Sequence, residues 1–194
     1  AGGLLAKGYR PGDKIAVVCN NRPEWNYLDM GCTLARLIFV PVYTTLSERE
    51  FLHVFNHSDS KMIVFGGRSL YNKLNPLIEK MDHPAEVMTI DDCGCSFSFG
   101  DLVALGKENR EKFNPVIELN KKEIHPDDVA TIIYTSGTTG ESKGVMLTHR
   151  NLTFDTNGHA IRQTAGPRHK MLSFLPLCHA YERTMNYEFQ QLGI

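Results

Sequence analysis

Residues 134 to 149 read YTSGTTGESKGVMLTH, which gathers the hydroxyls of Thr135, Ser136, Thr138, Thr139 and Ser142 around three glycines and a single lysine, Lys143. Such a run is suited to anion chemistry. Glycine accepts positive φ and places no Cβ between backbone and ligand, so successive N–H groups can turn outward into a concavity. Hydrogen bonds to a charged acceptor contribute roughly 1.5–3 kcal/mol each, so several N–H and O–H donors together can hold a polyphosphate despite its desolvation. Lys143 adds a point charge for a terminal phosphate. Mobile linkers share this composition, but here the run lies between ATIIYT and GVMLTH, two apolar β-type segments, where a linker has no task.

The spacing is not that of the mononucleotide phosphate loop G-x-x-x-x-G-K-[ST], in which glycine precedes the lysine, a metal-binding hydroxyl follows it, and a helix comes next. In this chain Ser142 precedes Lys143, Gly144 follows, and the exit VMLTH is β-type.

The elements that must position this loop alternate. Short β-type runs stand at 14–19, 37–42, 61–65, 86–90, 130–135, 144–149 and 170–175, separated by helix-type stretches. That alternation predicts an α/β fold with a mainly parallel sheet covered by helices on both faces. The best-marked helix is 48–57, where Ser47 is the N-cap, Glu50 stands three residues on, and Leu46 and Phe51 occupy the two staple positions. Another helix is expected from Pro23 to Arg36, and others near Ser69, Ser98 and Asn151. The charged segment 106–128, with Pro115 and Pro126, reads as a solvated connection carrying at most a short helix.

The 194 residues suffice for one sizeable core or most of a larger domain. A hydrophobic share of 42%, a charged share of 22% and a formal charge of -1 exclude the basic excess of a nucleic-acid binder and an acidic tail. The longest apolar stretches, LIFVPVY and ATIIY, fall far short of the ~20 residues that cross a bilayer, and AGGLLAKGYRPGD has no export pattern. The expectation is a cytoplasmic chain, with peripheral membrane contact left open and no oligomeric state assigned. Five cysteines, at 19, 32, 93, 95 and 178, make no disulfide framework in a chain of this size, and CGC at 93–95 lacks a second Cys/His pair at ligand spacing. The histidines at 53, 57, 83, 125, 149, 159 and 169 show no spacing that points to ligands or a triad, and Trp25 reads as a packing residue.

YTSGTTGESKGVMLTHRN closely resembles the signature of the adenylate-forming (AMP-binding) superfamily. GYRPGDKIAVVCNNRPEW, FVPVYTTLSEREFLHVFNHSDSKMIVF and LSFLPLCHAYER extend the resemblance over nearly the whole chain, and are most similar to the long-chain fatty acyl-CoA synthetase branch. The resemblance implies activation of a carboxylate by MgATP to an acyl-adenylate and pyrophosphate, then transfer of the acyl group to coenzyme A. It makes Thr135, Ser136, Gly137, Thr138, Thr139, Gly140 and Lys143 the grip on the β,γ-phosphates, with Thr138 near magnesium and Lys143 neutralising the departing pyrophosphate. It places His179 where the family lines the acyl pocket or the path of the thiol, so Lys143 and His179 are the catalytic candidates. Glu182 and Arg183 read as an ion pair ordering the following helix, neither of them catalytic.

One departure stands beside the lysine. The family usually has proline there, and Ser142 forgoes about 0.4–1 kcal/mol of preorganisation. The family's adenine-binding, ribose-binding and late lysine motifs are not in this sequence, so residues 1–194 read as part of the large amino-terminal domain, with no adenylate formed by these residues alone. Three other readings stay open at this level: a ligase for aromatic acids or a peptide-synthetase adenylation domain, a non-catalytic relative that binds nucleotide or acyl-adenylate, and a phosphotransferase.

Overall fold

The computed structural model describes residues 1–135, 141–162 and 164–194. In chain order the elements are α1 (Gly2–Ala6), β1 (Lys14–Val18), α2 (Pro23–Leu34), β2 (Ile38–Val42), α3 (Glu48–Ser58), β3 (Ser60–Phe65), α4 (Arg68–Ile78), β4 (Glu86–Thr89), α5 (Phe99–Glu108), α6 (Arg110–Glu123), β5 (Val129–Thr135), β6 (Lys143–Thr148), α7 (His149–Ala160) and α8 (Ala180–Leu192). The strands form one sheet in the order β4-β3-β1-β2-β5-β6. Every neighbouring pair is parallel except β5–β6, which is antiparallel.

The alternation along each strand explains why both faces need helices. On β1, Ile15 and Val17 point into one core while Ala16 and Val18 point into the other, and β3 repeats the pattern with Met62 and Val64 against Ile63 and Phe65. Successive side chains of a strand leave opposite faces, so a strand apolar at every position must be covered twice. The first core is closed by Leu4 of α1, Trp25, Leu28 and Cys32 of α2, and Leu102 of α5. The second is closed by Phe51, Val54 and Phe55 of α3 and by Leu74 and Leu77 of α4. Trp25 is fully buried, edge-on to Phe39 with ring centroids 4.9 Å apart, in keeping with a packing role.

The start of α3 is the one the sequence marks. The Ser47 hydroxyl accepts the Glu50 N–H at 3.4 Å, and the Glu50 carboxylate accepts the Ser47 N–H at 2.8 Å. Leu46 packs against the core that holds Phe51.

Two expectations are corrected. Residues 170–175 join no strand: the described sheet ends at β6, and Leu172 and Phe174 are 80% and 72% exposed. An apolar run alone cannot make a strand without a ladder partner. The segment 106–128 is no loose connection, because α6 occupies fourteen residues of it with Pro115 inside the helix. Its inward stripe is thin, with Phe113, Ile117 and Asn120 at i, i+4 and i+7; the Asn120 amide donates to the Leu34 carbonyl at the end of α2. Solvated charge on the remaining faces hides that stripe in the sequence. Helix α1 is also unforeseen, since GGLLA is too short to show a period. It docks backbone to backbone on α5, and a Cβ on Gly3 would run into the Leu102 carbonyl oxygen.

Candidate functional site

Strand β5 ends at Thr135, and β6 returns antiparallel with Lys143 opposite Thr135 and Gly144 opposite Tyr134. The hydroxyl-rich segment therefore joins two hydrogen-bonded strands at the carboxyl end of β5, the end where open α/β sheets bind ligands. Ser136, Gly137, Thr138, Thr139 and Gly140 lie outside the described residues. Gly144 is required by packing: a Cβ there would come within 2.7 Å of Ile132 Cγ2 and 3.2 Å of the Tyr134 ring.

Beside the mouth of this hairpin is a cavity of about 420 Å³. Its walls are the ends of two neighbouring parallel strands, Val42 of β2 with Tyr43 just beyond it and Ile133, Tyr134 and Thr135 on β5, joined by Ser142 and His179. Two separate sequence signals, Thr135 and His179, thus face one space. Lys143 does not line it; it is exposed on β6 directly across the ladder from Thr135, where paired residues project from the same face.

His179 is also the N-cap of α8, its Nδ1 accepting the Tyr181 N–H at 3.2 Å. With Nδ1 accepting that bond, the ring proton of the imidazole sits on Nε2. Helix α8 is held to the sheet by a buried network. Arg183 donates through Nη2 to Asp29 Oδ1 at 2.5 Å, through Nε to Asp29 Oδ2 at 3.2 Å and through Nη1 to the Thr131 hydroxyl at 2.7 Å. Tyr187 donates to Asp29 Oδ2, and Thr131 donates to the Phe39 carbonyl of β2 at 2.6 Å. The partner of Arg183 is therefore Asp29 on α2, a correction to the Glu182 pairing. Through Asp29 and Thr131 the guanidinium ties α8 to α2 and to β5. Burial and the adjacent Asp29 carboxylate push the Tyr187 phenol well above the usual range, which keeps it a neutral donor.

Two of the sequence's other histidines, set aside for want of a pattern, reach the loop. His53 and His57 of α3 bond to Ser142 and Tyr134 at its two ends. Their i, i+4 spacing was the available signal, but it named no partner.

The described residues by themselves assemble no magnesium site. No group of three His, Cys, Asp or Glu side chains gathers among them. The carboxylate lining the cavity, Glu50, is held by the Ser47 hydroxyl at 2.7 Å and the Ser47 N–H at 2.8 Å.

The cysteines are all free. Burial pushes the Cys19 and Cys178 thiols up to about 12, and that of Cys32, buried and beside Asp29, up to about 12 as well. At pH 8 a thiol so placed is about one part in ten thousand thiolate, the reactive form. Iodoacetamide followed by peptide mass spectrometry is expected to label the partly exposed Cys93 and Cys95 first and to leave Cys178 unmodified although it adjoins His179. Rapid labelling of Cys178 in folded protein would contradict that burial.

A parallel sheet with a hydroxyl-rich hairpin mouth at its carboxyl edge is the amino-terminal architecture of the adenylate-forming enzymes. Residues 1–189 match the AMP-binding enzyme family, and the chain belongs to it. It is 32% identical over 205 residues to the probable acyl-activating enzyme 16, chloroplastic, of Arabidopsis thaliana, covering 99% of this chain and 28% of that protein. It is 31% identical over 202 residues to the long-chain-fatty-acid–CoA ligase 1 of Homo sapiens, covering 94% and 28%. The crystal structure of a long-chain-fatty-acid-CoA ligase from Archaeoglobus fulgidus superposes with a TM-score of 0.81 at 24% identity, over 99% of this chain and 36% of that one. The chain thus spans little more than a quarter of the length of these curated relatives. Among the described residues no helix is long and apolar enough to cross a membrane.

Proposed function

We propose that the protein carrying this chain activates a long-chain fatty acid with ATP, forming an acyl-adenylate and pyrophosphate, and passes the acyl group to coenzyme A. The observation that carries this reading is the YTSGTTGESKG segment set across the β5–β6 hairpin mouth, beside a cavity bounded by two parallel strand ends. The name of the human relative, at 31% identity, supports the substrate class.

In the first half-reaction the carboxylate attacks the α-phosphorus of ATP, and pyrophosphate leaves with the bond electrons. Both reactants are anions, so the protein contributes by positioning them and by stabilising charge on the leaving group. In this reading Thr135, Ser136, Gly137, Thr138, Thr139 and Gly140 donate to the β,γ-phosphates, and Lys143 stands against the departing charge. His179, with its proton on Nε2, orients the acyl or thiol group in the cavity it shares with Thr135. Magnesium, when bound with ATP, would screen phosphate charge, and the Thr138 hydroxyl would stand near it.

The test is acid-dependent ATP–pyrophosphate exchange by the full-length protein across acetate, medium and long fatty acids, and aromatic acids. Exchange strongest with long fatty acids, with AMP as the nucleotide product, is the expected result. Exchange with aromatic acids alone would overturn the substrate class, and release of ADP would overturn adenylation.

A further inference from the structure

Helix α3 presents two stripes. Phe51, Val54 and Phe55 enter the core, while Arg49, His53 and His57, at i, i+4 and i+8, face the β5–β6 hairpin. Each of the three touches a stem of the segment 136–140. The His53 Nε2 donates to the Ser142 carbonyl at 2.9 Å, just after it, and the His57 Nδ1 bonds to the Tyr134 hydroxyl at 2.8 Å, just before it. At the exposed end Arg49 reaches the Glu141 carboxylate at 3.6 Å. The two imidazoles stack with centroids 5.3 Å apart, and both meet the Tyr134 ring edge-on, at 6.3 and 5.7 Å. Tyr134 is buried, and that burial pushes its phenol up to about 12, so it remains a neutral hydroxyl.

We propose that His53 and His57 are positioning residues for the nucleotide loop, a pair of imidazoles that fixes the separation of its two stems from the side of α3. This rests on the reading of that loop as the phosphate grip. The bonds are suited to the task because each reaches a different stem. The Ser142 carbonyl adjoins Lys143, so its orientation sets the start of β6, and Tyr134 precedes Thr135, so its ring sets the end of β5. Neither imidazole lines the cavity, so each is assigned to act through the stem it bonds. Displacement of reacting groups by about 1 Å is enough to cost on the order of a hundredfold in rate, which is the scale on which such a clamp acts.

The variants separate hydrogen bonding from packing. In the full-length protein His53→Leu keeps an apolar side chain but loses the donor, whereas His53→Gln returns an amide nitrogen near the Nε2 position. His57→Leu and His57→Asn form the corresponding pair for Nδ1. Both leucine variants are expected to lower kcat/KM for ATP by about tenfold to a hundredfold with the KM for the acid unchanged, and both amides to recover most of that loss. Amide hydrogen exchange over residues 134–144, which needs no turnover, is expected to quicken in the leucine variants and not in the amides. Unchanged exchange in the leucine variants overturns the clamp, whatever the protein's activity. So does an amide variant as impaired as its leucine counterpart, or an acid KM that rises in step with that for ATP. Absence of acid-dependent turnover in the unmodified protein would instead strike the adenylation reading, leaving the hydrogen-exchange result to decide the clamp alone.

Discussion

Arg183→Met is expected to destabilise the fold by about 3–5 kcal/mol, because it leaves the Asp29 carboxyl group buried without its cation. Asp29 is fully buried and Arg183 is 1% exposed, so water cannot replace the lost partner. The guanidinium carries more than the pair: it holds the Thr131 hydroxyl at 2.7 Å and stands 5.3 Å from the Phe39 ring and 5.6 Å from that of Trp25. Arg183→Lys should restore little of the loss, since a single ammonium cannot satisfy both Asp29 oxygens and Thr131 in one geometry. The revealing variant is the double replacement Arg183→Met with Asp29→Leu. Removing both charges together abolishes the desolvation penalty, and buried pairs replaced by apolar residues are often neutral or better. Denaturant unfolding should therefore show the double variant closer to the parent than either single one. A loss under about 1 kcal/mol in Arg183→Met would mean that Asp29 finds another partner.

That network also shows where sequence reading stops. Asp29 and Arg183 are 154 positions apart, and nothing in either neighbourhood names the other, so the adjacent Glu182 looked the natural partner. The strands of the parallel core were legible because burial on both faces writes itself as unbroken apolar runs, as in KIAVVC and KMIVF. The same criterion misread 170–175, where the run is apolar but unpaired. The Ser47 cap was legible because its partners are three residues apart, and α6 was not, because its inward stripe of half-buried Phe113 and Ile117 with buried Asn120 is outnumbered by charge. The candidate site divides in the same way. Thr135, Lys143 and the loop between them were legible as one contiguous string, and His179 through its resemblance to a family motif. The contribution of α3 was not, since Tyr134 and Ser142 lie 77 and 89 positions from the imidazoles they meet.

The proposed role of Lys143 leads to a large effect on chemistry with almost none on folding. Lys143 is exposed at the first position of β6, so Lys143→Ala should leave the free energy of unfolding within about 0.5 kcal/mol of the parent. If the ammonium stabilises charge building on the departing pyrophosphate, its loss should lower the rate of adenylate formation by about 10²–10³, the range for deleting one electrostatic group from a transition state. The KM for ATP should rise less than kcat falls, because charge on the leaving group is greatest in the transition state. Lys143→Arg should recover part of the rate, keeping the charge on a broader head that sits differently against phosphate. The two half-reactions provide the internal control. No pyrophosphate leaves when acyl-adenylate is supplied ready-made with coenzyme A, so thioester formation from that intermediate should be nearly unaffected in Lys143→Ala. Equal losses in both halves would place the lysine in the acyl or thiol path instead, and an unchanged first half would remove it from the phosphate grip altogether.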